Sequence, residues 1–74
     1  MSLRRYHAVF QPARAQPPFV LWLIEIEGHS AEDALKANLE RVTASARAVC
    51  LDYFGAEIFS REELLSQIRV IPGE

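Results

Sequence analysis

Phe19-Val20-Leu21-Trp22-Leu23-Ile24-Glu25-Ile26-Glu27-Gly28-His29-Ser30-Ala31-Glu32-Asp33-Ala34-Leu35 changes its period in the middle, and that change decides the fold class. Up to Glu27 the residues are β-branched, aromatic or large aliphatic, the composition of a strand. Strict alternation sends Val20, Trp22, Ile24 and Ile26 to one face. It sends Phe19, Leu21 and Leu23 to the other, which Glu25 and Glu27 then return to water. Both faces are therefore apolar over the first half of the strand. A sheet covered by helices needs only one apolar face, so the second needs a cover, and a second subunit is the simplest one. Phe19, Leu21 and Leu23 are the expected interface of a homodimer.

Gly28-His29-Ser30 ends the strand. Ser30 with Asp33 three residues later reads as a helix N-cap, and Glu32 and Asp33 complement the helix dipole. From there Leu35, Leu39, Val42, Ala46, Val49 and Tyr53 recur at steps of four and three, one apolar stripe on a helix that Gly55 stops. This predicts one long helix over 31–54. A break near Thr43-Ala44-Ser45 is the alternative, with 48–53 as a strand, and the alanines at 44, 46 and 48 favour the helix.

Before this block, Arg4 to Gln11 alternates Tyr6, Ala8 and Phe10 against Arg5, His7 and Val9, which predicts a first strand. Pro12, Pro17 and Pro18 punctuate an extended surface loop without a tight primed turn. After Gly55, Glu57-Ile58-Phe59 reads as a short edge strand and Ser60-Arg61-Glu62-Glu63 as a capping box for a short C-terminal helix. Arg69-Val70-Ile71 is a last strand that Pro72-Gly73 closes. The expected architecture is a single α+β domain over 1–74. A small antiparallel sheet of three to four strands is packed by one long helix, in the order β-β-α-β-α-β. The ends, Met1-Ser2-Leu3 and Glu74, carry no functional weight, because vector sequence commonly supplies such residues.

Composition narrows the function. A core of 74 residues rarely supplies more than about 3–5 kcal/mol, so chains of this length commonly lean on disulfides, a metal or association. Cys50 is the only cysteine, so no internal disulfide forms. His7, His29 and Cys50 lack the paired short spacing of a zinc site, and neither a metal nor a cofactor is expected. Association is what remains. The longest apolar run, Phe19 to Ile24, is far too short to span a bilayer, and no leader-like apolar region opens the chain, so a cytoplasmic protein is expected. The net charge of −2 argues against a general phosphate-backbone binder.

Gly28, Gly55 and Gly73 are too dispersed for a phosphate loop, and no Ser/His/Asp or Cys/His spacing assembles a nucleophile, so an enzyme is not expected. Cys50, between Val49 and Leu51 beside the apolar stripe, reads as an inert small hydrophobe. Arg4, Arg5 and Arg14 beside Tyr6 form a local basic cluster, the candidate contact if the sheet stacks single-stranded bases.

The succession of a Tyr-containing strand, an apolar second strand and the helix start Ser30-Ala31-Glu32-Asp33-Ala34-Leu35 resembles the N-terminal half of HicB-type antitoxins, small domains that bind a toxin partner. That family's acidic Gly-Cys segment and third strand before the helix have no counterpart here, because Glu27 is followed almost at once by the N-cap. The resemblance implies an antitoxin-like regulatory module. The residues themselves point to a protein-interaction or assembly module, with nucleic-acid binding as the alternative.

Overall fold

A computed structural model of the chain describes residues 2–13, 15 and 17–73. Two strands, β1 (Arg4–Phe10) and β2 (Leu21–Gly28), are followed by helices α1 (Ala31–Ala37), α2 (Leu39–Phe54) and α3 (Arg61–Ser66) and by a last strand, β3 (Ile68–Pro72). The sheet is three-stranded and antiparallel in the order β2-β1-β3. The α+β class, the antiparallel sheet and the short C-terminal helix agree with the sequence reading. The central strand is β1, and its Tyr6, Ala8 and Phe10 point into a core with Ile26, Ala34, Val42, Ala46, Cys50, Leu64 and Ile68. All three helices lie on that side.

The expected strand over 57–59 does not form, so the element order is β-β-α-α-α-β. Residues 57–59 pair with neither edge strand, β2 nor β3. Phe59 turns its ring inward instead, edge-on to Phe10 and Phe54, with centroids 6.3 and 6.2 Å away. Burying that ring outweighs adding a short edge strand.

The helical stretch from Ala31 to Phe54 is interrupted once, at Asn38, and runs unbroken through Thr43-Ala44-Ser45. Asn38 donates its side-chain amide to the Ala34 carbonyl at 2.9 Å and its backbone N–H to Leu35 at 3.2 Å. The carbonyl that its own N–H would take is thus occupied by its side chain, the competition that makes Asn a poor helix-interior residue. Thr43 is harmless because its hydroxyl donates to the Leu39 carbonyl at 2.6 Å.

Helix ends follow local rules. Ser30 accepts from the Asp33 N–H, Ser60 and Glu63 complete a reciprocal capping box, and Gly55 closes α2 in the left-handed region at φ 74°. Gly28 has a different task. A Cβ there would lie 2.4 Å from the Ala34 backbone nitrogen, so only glycine lets β2 end against the first turn of α1. The Pro-rich connection is more anchored than a surface loop needs to be: Pro12 and Ala15 are buried, and Ala13 N–H donates to the Gln67 side chain at 2.6 Å.

Candidate interaction surface

In β2 the strand does not alternate throughout. Ala8 pairs with Ile24 while Val9 pairs with Trp22, so Leu23 is an extra residue in a β-bulge. One extra residue exchanges the faces on either side of it. Ile24 and Ile26 face the helices with Leu21, which pairs with Phe10, whereas Trp22 shares the opposite face with Glu25 and Glu27. This corrects the expected division of faces, in which Trp22 shared a face with Ile24 and Ile26. The expected interface residues all meet apolar partners of their own chain. Leu21 and Leu23 pack half-buried against the core cluster, and Phe19 stacks on Tyr53 with ring centroids 4.8 Å apart.

The helix-free face carries three rows across the strands. Glu27 stands beside Arg5, with a 3.9 Å ion pair; Glu25, His7 and Ile71 form the second row; Trp22, Val9 and Arg69 form the third. The Trp22 indole meets the His7 imidazole edge-on, 4.6 Å between centroids. Trp22 is nevertheless 62% exposed, and Val20 beside it 48%. Val9, between Trp22 and Arg69 in register, is only 4% exposed, so the floor of this face is dry while its rim is open.

Both edges of the sheet are protected. The Gly73 N–H donates to the Arg5 carbonyl, and the Gln11 N–H to Gln67, so the odd residues of β1 turn their backbone groups toward β3 and the even ones toward β2. Glu25 and Glu27 therefore turn theirs to the free β2 edge, where two carboxylates and the bulge oppose strand addition. On the other edge β3 is short and ends at Pro72, which has no donor. The open face presents one exposed indole, with Val20 beside it, among charged side chains.

Arg4 and Arg5 are exposed at the start of β1 and, with Leu3, Tyr6 and Pro72, line an open cavity of about 550 Å³. Arg14 lies outside the described residues, as do Met1 and Glu74. His29 is exposed before the cap of α1, far in register from His7. Cys50 is buried in α2, where burial, and secondarily the Glu57 carboxylate, hold its thiol pKa above the ordinary value. Among the described residues no group of His, Cys, Asp and Glu is placed to hold a metal ion. No helix among them is long and apolar enough to cross a membrane.

Sequence reasoning placed Trp22 on one face with Ile24 and Ile26, and the bulge at Leu23 puts it on the other. Nothing in the alternation of residues 19–27 distinguishes a bulged strand from a regular one, and the only available signal was that both faces were too apolar for one sheet. No protein-family model matches the chain, and neither a curated protein nor a solved structure does.

Proposed function

We propose that this chain is a homodimeric protein-interaction module that docks through the open face of its sheet around Trp22. The exposure of Trp22, on a face that no helix covers, supports this reading. Burying the exposed part of one indole contributes on the order of 3 kcal/mol. Association costs about 4 kcal/mol or more, so one indole is not enough and a two-fold contact, which uses every residue twice, is favoured. A cytoplasmic setting belongs to the same reading, since a single buried, protonated thiol suits a reducing compartment.

Light scattering across a wide concentration range tests it on the wild type and on Trp22→Glu. The expected result is a dimer that the substitution dissociates. A monomer at every concentration removes the reading. An antitoxin-like role would place a different protein on the same surface, and would show as a monomeric chain whose one-to-one complex with that partner is lost in Trp22→Glu.

Nucleic-acid binding has one observation in its favour: the Trp22 and His7 rings stand on an open sheet between Arg5 and Arg69. Glu25 and Glu27 on the same face oppose it. Titrating short single strands at low salt while following Trp22 fluorescence decides the matter, and no quenching ends this reading.

A further inference from the structure

Among the described residues, His7 carries the one ring that the exposed Trp22 indole meets. The imidazole is half-buried on the side of the sheet without helices, so water reaches it. Glu25 stands directly across from it on β2. Because the odd residues of β1 turn their backbone groups toward β3, His7 and Glu25 form a non-hydrogen-bonded pair, the kind in which cross-strand side chains come closest. Neither side chain makes an ion pair among the described residues. His7 thus has an indole as its present partner and a carboxylate within reach as a second one.

The other groups around His7 are apolar or engaged elsewhere. Ile71 faces it from β3, and Val9 follows it on β1. Arg5 and Glu27, one row away, pair with each other at 3.9 Å, and Arg69 lies in the opposite row on the far edge strand. Arg41 of α2 shares a cleft with Glu25 at the β2 edge, and its guanidinium donates to the Asn38 side chain at 3.1 Å. A neutral imidazole gains from its edge-on contact with the indole. A protonated one donates from both ring nitrogens and is drawn to the carboxylate, an attraction that the neutral ring lacks. The cation–π contact left to it on an exposed indole is weak by comparison.

We propose that His7 is a proton-operated latch on Trp22. Neutral, it holds the indole; on taking a proton from water, it turns to Glu25 and releases the indole. The open face then gains one positive charge and a freer aromatic ring, so recognition through this face depends on acidity. The latch works within one chain and does not rest on the docking reading.

Proton NMR tests it, with His29→Gln to assign the histidine signals and thermal melts to verify folding. The ring-current shift that the indole imposes on the His7 ring protons is the difference between wild type and Trp22→Ala at the same pH. It should be present near about pH 8 and lost near about pH 5, the interval in which histidine changes charge. Cross-relaxation between the His7 and Trp22 ring protons, read on the wild type alone, should fade in parallel. In a Glu25→Gln background the same comparison should keep the shift at the acid end. A ring-current shift of equal size at both ends overturns the latch. Its loss at the acid end in Glu25→Gln as well overturns the carboxylate as the second partner, and the latch with it. A wild-type monomer would remove the homodimer reading and leave these spectra unchanged.

Discussion

The two faces of the sheet are built from the same three strands and have opposite fates. On the helix side Ala8 and Phe10 are fully buried, with Tyr6, Ile26 and Ile68 nearly so. One residue along the same strands, His7, Glu25 and Ile71 are half-buried or exposed, and Trp22 stands out in the open. Hydrophobicity sorted most of these side chains, and Trp22, an apolar residue exposed on the largely charged open face, is the exception. The position of the helices and one inserted residue put it there. The difference teaches that the helix side carries stability and the open side is free to carry association.

The largest test of that division is Phe10→Ala, which removes a fully buried ring touching Phe59. Its cost of about 3–5 kcal/mol is comparable to the whole stability expected at this length, so circular dichroism should show an unfolded or barely folded chain at room temperature. A cooperative melt near the wild-type midpoint would break the assignment of stability to this face. Gly28→Ala comes next. The added methyl would press on the Ala34 backbone, and urea unfolding should show a loss of about 1–3 kcal/mol, because rigid backbone has to move to admit it.

Ser60→Ala sharpens the comparison at the rim of the core, where α3 has only six residues to hold Leu64 in place. Loss of the cap should lower stability by about 1 kcal/mol in the same assay, with the sheet intact. Trp22→Ala should have the smallest effect on the folded monomer. With its ring 62% exposed, the substitution should shift monomer stability by less than about 1 kcal/mol while weakening association. A loss as large as that of Phe10→Ala would mean that the open face is part of the core, and would erase the difference between the two sides.

Much of this was legible in the chain. Both long strands, the start of α1, the capping box of α3 and the left-handed stop at Gly55 follow from signals within a few residues. The interruption at Asn38 was less visible, because the apolar stripe passes through it without a change of step. The facing of Trp22 was legible only as a surplus: residues 19–24 are too apolar for one covered face, and strict alternation then puts Leu21 and Leu23 rather than Trp22 on the uncovered side.

Sequence by itself determined the local pieces, because caps, stops and periodicity are settled by groups close along the chain, whose hydrogen bonds cost little ordering entropy to form. The tertiary structure alone decided which pieces meet. Residues 57–59 join neither free edge of the sheet, and Phe59 packs half-buried against the core instead. The fit of β2 to β1 placed Leu23 outside the ladder, and that single displaced residue turned Trp22 from the helices to the open face. Register is a property of two strands in contact, set by which pairing buries the most apolar surface, and a pattern read along one strand does not contain it.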